Sequence, residues 1–321
     1  MHHAAPPRRG QGRASGNSGR CPRPRGRAIT ERVLSGGLLL DKPPGITSAK
    51  AVSGIKRLLP RKTRIGHTGT LDPLASGLLV LLLGRATRLS RYVTNLDKSY
   101  TATARFGAVS DTLDAEGHIT DLDAPLPSEE ALRDALPALT GDLLQVPPMA
   151  SAIKQGGQRL YDLHRRGISV EREARPVRVH RLALAGFDPT AQTAKFEISC
   201  SSGTYIRTLI DDLATSLGSG AYLTALRRNS VGHLTVGNAH ATQDLLPETL
   251  HNHIIPPLDV IAHLPAVAIS EETGRDLVCH GRPIERCRVA GSYRVMSGGE
   301  LLAVYRDDED VGRAEVVLCA K

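Results

Sequence analysis

One carboxylate, Asp72, stands alone in the loop "GHTGTLDPLASG". It is the only acidic residue between Lys42 and Leu96. The same window holds ten basic residues: Lys42, Lys50, Lys56, Arg57, Arg61, Lys62, Arg64, Arg85, Arg88 and Arg91. A carboxylate nucleophile must be ionised, and nearby guanidinium groups favour the anion by lowering its pKa. Abundant positive charge also gathers a polyanion. The window therefore favours a reactive carboxylate that works on an anionic substrate.

Several common chemistries need partners that this window lacks. A glycosidase needs two carboxylates and a hydrolytic metal centre needs a cluster of ligands, whereas only His67 accompanies Asp72. The loop has no Gly-Lys-Ser/Thr for binding nucleotides, and the chain has no G-x-S-x-G elbow. Two uses of Asp72 remain open: an unassisted nucleophile, or a structural cap of its own Asp-Pro turn.

Net charge is concentrated at one end of the 321 residues. Residues 1–32 contain eight arginines and one glutamate, so they account for almost all of the net charge of +8. Their Gly, Pro, Ser and Arg content predicts a disordered tail, and they lack the apolar stretch of a secretory signal. The longest apolar run, "GLLVLLLG", is far shorter than the roughly 20 residues of a membrane span, so we expect a soluble protein.

The five cysteines are scattered, and no two have the spacing C-x-x-C. This pattern predicts reduced thiols in a cytoplasm. His280 lies between Cys279 and Cys287, but a zinc site requires four ligands in tighter pairs. We therefore expect no metal site.

Helical and strand signals alternate along the body of the chain. "GLLLDK" and "GLLVLLLG" predict strands, and "AKAVSGIKRLL" predicts a helix capped by Thr47 or Ser48 and ended by Pro60. "RATRLSRYV" predicts a helix whose arginines, three apart, form a stripe that either is solvated or contacts phosphate. Further strands are predicted at "KSYTATARFG" and "KFEISC", and further helices near 128–140, in "QVPPMASAIKQGGQRLYDLHRRG" and at "TYIRTLIDDLA". The mixture predicts an α+β fold.

The composition changes near residue 246. Residues 246–265 are polar and contain proline, as a linker does, and beyond them "SYRVMSGGELLAVYR" predicts a hairpin with Gly298 and Gly299 at its turn. We predict four parts: a tail (1–33), a catalytic body (34–245), a linker (246–265) and a small β-rich module (266–321).

The segment "RIGHTGTLDPLASGLLVLLLGRATRLSRY" closely resembles the signature of the TruB family of tRNA pseudouridine synthases, which act on uridine 55 in the TΨC loop. Other motifs follow in the family's order over roughly residues 37–232: "LLLDKPPGITS", "DKSYTATARFG", "SDTLDAEG", "VPPMASAIK", "EARPVRV", "CSSGTYIRTLIDDLA" and "LTALRR". The resemblance implies a mixed, largely antiparallel sheet with flanking helices, the pseudouridine synthase fold, and a C-terminal PUA-like domain. "LASG" after the aspartate resembles the bacterial stand-alone enzymes rather than their guide-RNA-directed relatives.

The resemblance also implies roles for particular residues. Asp72 matches the catalytic aspartate, and Arg207 matches the arginine that pairs with it. Tyr100 matches the tyrosine that packs against the target base, and His67 matches a histidine that stacks where that base has left the RNA. Two further positions line the pocket, namely Tyr205 and Leu226. The structural alternatives are a core aromatic for Tyr100, a helix-surface pair with Asp211 for Arg207, and a turn histidine for His67.

The substrate implied by the resemblance is the T-arm of tRNA, with the target nucleotide flipped into the pocket. Phosphate contacts would then come from basic side chains: Lys42, Arg61, Lys62, Arg64, Arg85, Arg88, Arg91, Lys154 and Arg159. The isomerisation needs no cofactor and no metal, and we expect a cytoplasmic monomer with no obligatory protein partner. Asp72 is expected either to add to C6 of the uracil or to act at the ribose.

Two rival functions remain. One is a non-catalytic tRNA-binding protein or tRNA-folding chaperone, and the other is a guide-dependent synthase of rRNA. The chain also departs from the family's common text at two positions, because Ala150 replaces the tyrosine of "MYSA" and Gln158 replaces the lysine of "GKRLY". Neither departure touches the proposed chemistry.

Overall fold

The computed structural model describes residues 1–4, 34–151, 154–164 and 166–319, and for 154, 155, 159, 162, 164 and 271–273 the main chain alone. The predicted tail lies almost wholly outside these residues. The strands of the larger part are β1 (Gly36–Lys42), β2 (Ile65–His67), β3 (Ser76–Leu83), β4 (Lys98–Phe106), β5 (Ala108–Ser110), β6 (Ile119–Asp121), β7 (Gly141–Gln145), β8 (Lys154–Gln155), β9 (Gln158–Arg159), β10 (Arg175–Asp188), β11 (Thr193–Cys200), β12 (Ala221–Val231), β13 (Leu234–Thr235), β14 (His240–Ala241) and β15 (Ile254–Ile255).

Few helices accompany these strands. The α-helices are α1 (Ser48–Leu58), α2 (Ser90–Thr94), α3 (Glu129–Ala135), α4 (Leu160–His164), α5 (Ile206–Ser216), α6 (Pro257–Val260) and α7 (Glu271–Cys279). The 3-10 helices are Gly84–Leu89, Leu136–Leu139, Val236–Asn238, Thr242–Asp244 and Leu250–His253. Two predicted helices are therefore partly 3-10, the one in "RATRLSRYV" and the one near 128–140, and the predicted basic helix shrinks to α4 after a short hairpin.

One large sheet organises the catalytic body. Its strand order is β14-β1-β3-β12-β4-β11-β10-β7, with β2, β13 and β15 paired at its sides. Most neighbours are antiparallel, whereas β1 with β14 and β3 with β12 are parallel. The predicted α+β class with a mixed, largely antiparallel sheet and flanking helices is confirmed.

Strand β3 shows why its sequence is continuously apolar. Successive side chains of a strand point to opposite faces, and both faces of β3 are buried. Leu79, Leu81 and Leu83 join a core with apolar residues of α1 and α5, while Leu78, Val80 and Leu82 join a second core. The second core includes Leu301, Val304 and Val316, so the C-terminal sheet packs on this face.

The C-terminal sheet has five strands in the order β16-β18-β19-β20-β17, namely β16 (Ala266–Ala268), β17 (Ile284–Glu285), β18 (Ser292–Ser297), β19 (Glu300–Asp307) and β20 (Val311–Val317). The predicted hairpin is β18 and β19, and Gly298 and Gly299 at its turn have positive φ angles of 54° and 79°. This small curled sheet gives the chain its PUA-like C-terminal domain.

The expectation of reduced thiols is wrong for one pair of cysteines. Cys279, at the end of α7, is bonded to Cys319, just beyond β20, with their sulfurs 2.09 Å apart. Scattered spacing concealed this pair because α7 and β20 meet only in the folded sheet. Cys200 and Cys287 are free thiols.

The segment predicted to be a linker is folded. Within 246–265, β15 pairs with β1, and Leu250, Val260 and Ile261 are fully buried. The prolines and polar residues of this segment suggested a linker, although nine of its twenty residues are apolar and supply these anchors.

Candidate active site

The loop that carries Asp72 joins β2 to β3 and is bound to α1. Ser48 is buried at the start of α1, and its Oγ both donates to the carbonyl of Leu71 and accepts from the amide of Leu71, each at 2.8 Å. On the other side of Asp72, the carbonyl of Pro73 accepts from the amide of Gly45 at 2.8 Å. The turn after β1 and the start of α1 therefore fix the residues on both sides of Asp72.

Lys42 belongs to this framework and not to an RNA surface. Its side chain is fully buried, and its Nζ donates to the carbonyls of Pro43 (2.9 Å), Ile46 (2.7 Å) and Pro73 (3.3 Å). Burial lowers its pKa to about 8. The predicted phosphate contact of Lys42 is wrong, because the ammonium group has no exposed surface and satisfies three main-chain oxygens instead.

Arg207 lies beside Asp72. The arginine is the second residue of α5 and only 4% exposed, and its Nη2 is 2.9 Å from Oδ2 of Asp72. The same guanidinium donates to the carbonyls of Thr112 (2.8 Å) and Ala150 (2.7 Å). The structure thus places the buried guanidinium of Arg207 in an ion pair with Asp72.

A second carboxylate, Asp114, contacts the same guanidinium. Its Oδ2 is 3.6 Å from Nη1 of Arg207, and its side chain is 3% exposed. The Oδ1 atom accepts from the hydroxyl of Thr112 at 2.7 Å and from the amide of Glu116 at 3.0 Å. Sequence reasoning missed Asp114, although it lies in the acidic loop "SDTLDAEG". That loop was one of the motifs that match the family, so an acidic residue within it was the available signal. Only the fold shows that the loop lies against α5.

A cleft of about 1430 Å³ opens above these residues. That volume exceeds the roughly 300–1,000 Å³ typical of small-molecule sites, so the cleft has room for a substrate larger than a typical small molecule. The side chain of Asp72 is 38% exposed through this opening. The lining includes five further acidic residues, Asp111, Asp114, Glu116, Asp211 and Asp212. The carboxylate therefore does not lie in the wholly basic field that its sequence window suggested.

This environment reverses the expected pKa of Asp72. Partial burial of the carboxyl group raises its pKa above the ordinary value, and Asp114 adds to the rise, while Arg207 and Lys42 oppose it. Burial also raises the pKa values of Glu116, Asp211 and Asp212.

The other predicted site residues fall in three places. His67 lines the cleft with Asp72 and Arg207, and burial lowers its pKa. Tyr100 and Leu226, each 8% exposed, belong to the core cluster that also holds Leu71. Tyr205 precedes α5, and its main chain exchanges hydrogen bonds of 2.7 and 3.0 Å with the side chain of Gln145.

The predicted phosphate-binding stripe faces the C-terminal sheet. Nη1 of Arg85 donates to the carbonyl of Leu318 at 3.2 Å, and Nη1 of Arg88 donates to that of Val317 at 2.5 Å. Arg91 pairs with Glu315 at 3.0 Å. These contacts join the stripe to β20 and the residues just beyond it, while Arg88 and Arg91 remain exposed, so the phosphate contact of the stripe stays a prediction.

The remaining basic residues stay as predictions. Arg61, Lys62 and Arg64 are exposed beyond α1. The side chains of Lys154 and Arg159 lie outside the described residues. Gln158 is exposed and accepts from Arg166 at 3.2 Å. Ala150 lines the cleft, and the neighbouring Thr208 has a buried hydroxyl without a partner among the described residues.

Within the described ranges, no group of three or more His, Cys, Asp and Glu is arranged to hold a metal ion. A helix with the length and apolar character to cross a membrane is likewise not found there.

Known proteins are similar to this chain in sequence and in fold. A model of the TruB family pseudouridylate synthase N-terminal domain matches residues 56–206. The tRNA pseudouridine synthase B of Aromatoleum aromaticum is 42% identical over 285 residues, which cover 85% of this chain and 89% of that protein. The protein of the same name from Neisseria meningitidis serogroup A is 43% identical over 256 residues, 79% of this chain and 83% of that protein.

A solved structure is also similar to this chain in fold. The crystal structure of a Cbf5-Nop10-Gar1 complex contains a chain that matches with a TM-score of 0.68 and 25% identity, covering 91% of this chain and 87% of that one. The fold and the relatives are those of pseudouridine synthases, a class of isomerases. Within that class, this chain belongs to the TruB family.

Proposed function

We propose that this chain converts uridine to pseudouridine at position 55 in the TΨC loop of tRNA, with Asp72 as the catalytic carboxylate. The observation that carries the proposal is the placement of Asp72, which opens to a nucleotide-sized cleft while a buried guanidinium lies 2.9 Å from its Oδ2. The names of the curated relatives support tRNA as the substrate.

The reaction conserves atoms and electrons. The glycosidic bond between N1 and C1′ breaks, the uracil turns while it is held, and a bond forms between C5 and C1′. The proton on C5 leaves and N1 ends with a proton, so no oxidant or group donor takes part. Two routes fit a single carboxylate: addition to C6 of the uracil, or assistance at the ribose through C1′ or C2′. Asp72 is also the nearest base for the C5 proton.

Each site residue has a role in this proposal. Arg207 orients the carboxylate of Asp72 and stabilises its ionised form. Tyr100 and Leu226, which belong to the core cluster with Leu71, pack against the flipped base, and Tyr205 lines the pocket. His67 stacks in the RNA where the base has left. The cost of flipping, about a few kcal/mol, is offset by phosphate contacts of the exposed basic residues.

The domain division forms part of the proposal. Residues 34–245 make the synthase domain, residues 246–265 connect it to the C-terminal sheet, and residues 266–321 form a PUA-like RNA-binding domain. We further propose that the protein acts as a cytoplasmic monomer without a cofactor or an obligatory protein partner.

Release of tritium from C5 tests the proposal directly. RNA with a C5-tritiated uridine in the TΨC loop is incubated with the native protein, with Asp72→Asn and with Asp142→Asn. Asp142 is a matched control, because its side chain is 78% exposed and pairs with Arg178 on the surface. We expect release by the native protein and the control, and none by Asp72→Asn, with tRNA binding retained by all three.

Other outcomes identify the rival functions. Salt-sensitive tRNA binding without any tritium release would indicate a non-catalytic tRNA-binding protein or folding chaperone. Inactivity on bare tRNA together with activity on rRNA in the presence of a guide RNA and its proteins would indicate a guide-dependent synthase. Equal release by the native protein and Asp72→Asn would remove Asp72 from the mechanism.

A further inference from the structure

Arg228 lies beneath the loop that carries Asp72. It belongs to β12, which runs through the middle of the large sheet, and it is opposite Gly77 of β3 on one side and Tyr100 of β4 on the other. Its side chain is 2% exposed. Gly77 has a φ of +98°, and a Cβ atom there would overlap the main chain of Arg228. The two strands are therefore in close contact where β3 begins.

The guanidinium of Arg228 holds both arms of the loop. Nε donates to the carbonyl of Leu78 at 2.8 Å, on the strand that follows Asp72. Nη2 donates to the carbonyl of Gly69 at 3.1 Å, and Nη1 lies 3.5 Å from the carbonyl of Thr70, both before Asp72. One rigid, planar group thus fixes the separation between the arm that enters the loop and the arm that leaves it.

The electrostatic setting of Arg228 is unusual for a buried arginine. No carboxylate lies within ion-pair distance of it in the part of the chain that the structure describes, so main-chain carbonyl oxygens compensate its charge. Arginine stays charged in proteins, and burying a cation adds little net stability compared with an apolar side chain of similar size. Stability alone therefore does not account for an arginine here, whereas fixing three carbonyl groups of one loop does.

The charge of Arg228 also reaches the cleft. Burial and this charge together lower the pKa of His67, which lines the same cleft as Asp72. The adjacent Arg227 differs in both partner and exposure, because it forms a bidentate ion pair with Asp41 at 2.7 and 3.0 Å and its side chain is 41% exposed. The neighbouring arginine is thus a natural control.

We propose that Arg228 is a positioning residue for the reaction: by binding Gly69, Thr70 and Leu78 it fixes the loop so that the carboxylate of Asp72 faces the cleft beside Arg207. This inference rests on the proposed function. Arg228 acts through the loop and does not touch the substrate. A displacement of about 1 Å in a reacting group can reduce a rate about 100-fold, so loss of this support is expected to act on kcat.

The test compares four variants: Arg228→Lys, Arg228→Met, Arg227→Lys and Arg227→Met. Steady-state tritium release gives kcat and KM, and hydrogen exchange of the amides in 67–78 reports on the loop. We expect Arg228→Met to lower kcat by at least about 30-fold with KM within about 3-fold, and Arg228→Lys to recover part of the loss. Both Arg227 variants should keep kcat within about 3-fold, and exchange should quicken in the loop only for the Arg228 variants.

Three results would overturn the inference. The first is that Arg228→Met and Arg227→Met lose kcat equally. The second is that the Arg228 variants speed exchange throughout the sheet rather than in the loop. The third is an unchanged kcat in Arg228→Lys. This variant tests the inference if Arg228→Met does not fold.

Failure of the proposed function is recognised separately. A native protein that releases no tritium overturns the function itself, and this inference with it. Activity in the native protein with unaffected Arg228 variants overturns the inference alone.

Discussion

Asp72 and Asp114 bind the same guanidinium from two sides. Arg207 places Nη2 at 2.9 Å from Asp72 and Nη1 at 3.6 Å from Asp114, and Asp114 is in turn held by Thr112 and the amide of Glu116. The buried arginine can therefore neutralise only part of the charge of each carboxylate. Asp114 fixes the direction of the guanidinium, and it also competes with Asp72 for that positive charge.

Substitution Asp114→Asn tests this arrangement. The change keeps the shape of the side chain but removes the charge that orients Arg207, so we expect kcat to fall about 10- to 100-fold with little change in KM. Tritium release measures both constants. Asp142→Asn is again the control, because its ion pair with Arg178 is exposed and remote from the cleft lining. Full activity of Asp114→Asn would show that Arg207 needs no second partner.

The same variant makes a prediction about pH. The pKa of Asp72 is raised by burial and by Asp114, so activity that needs the ionised carboxylate should fall as the pH drops through that raised pKa. Removing the Asp114 charge should lower the pKa, and the acid side of the kcat/KM profile should move to lower pH. The measurement is kcat/KM against pH, which reports the pKa values of the free enzyme. An unshifted acid limb, with stable protein across the range, would assign that limb to another group.

A raised pKa also has a consequence for stability. The folded protein binds the Asp72 proton more tightly than the unfolded chain does, so ionisation of Asp72 costs folding free energy. The cost is absent below the ordinary carboxyl pKa and fully present above the folded pKa. We expect Asp72→Asn to have a Tm no lower than that of the native protein near pH 8, and its advantage to shrink near pH 4. A lower Tm of Asp72→Asn near pH 8 would contradict this balance.

Local sequence patterns were sufficient to predict a helix or strand whose structure depends mainly on its own residues. Thr47 caps α1 as predicted, and its Oγ1 accepts from the amide of Lys50 at 3.1 Å. The run of apolar residues in β3 predicted a strand buried on both faces. The long strands β10 and β12 were not predicted, because they mix charged and apolar residues. Arg227 and Arg228 of β12 are satisfied by Asp41 and by loop carbonyls that are distant in sequence.

The site shows the same limit. The loop singled out Asp72 as a candidate, since a lone carboxylate among basic residues is a local pattern, but it left a nucleophile and a turn cap both open, and the catalytic role came from the family resemblance. The destinations of those basic residues could not be inferred. Lys42 is buried under the loop, Arg85 and Arg88 bind the C-terminal sheet, and the acidic neighbours of Asp72 come from distant segments. A sequence shows how many charges a segment has, but only the fold shows which of them face the same space.

The exposed basic residues can now be separated from the bound ones by salt dependence. Arg64→Ala should weaken tRNA binding and reduce the slope of log K against log salt by about 1, because Arg64 is exposed and free to release a counterion. Arg88→Ala should leave the slope unchanged and lower the Tm, since its guanidinium binds the carbonyl of Val317. Titrations at several salt concentrations measure the slopes. A reduced slope for Arg88→Ala would instead support the arginine stripe as an RNA contact.

The bond between Cys279 and Cys319 should stabilise the C-terminal sheet. It closes a loop with a sequence separation of 40, for which the constraint on the unfolded chain is worth about 2–4 kcal/mol. We expect reduction, or Cys319→Ser, to lower the unfolding midpoint, whereas Cys287→Ser should not, because Cys287 is a free thiol. Peptide mass spectrometry without reductant identifies the linked pair, and denaturant unfolding with and without reductant gives the difference. Equal midpoints in the two conditions, with the linked peptide present, would show that the bond adds no stability, and absence of the linked peptide would restore the expectation of reduced thiols.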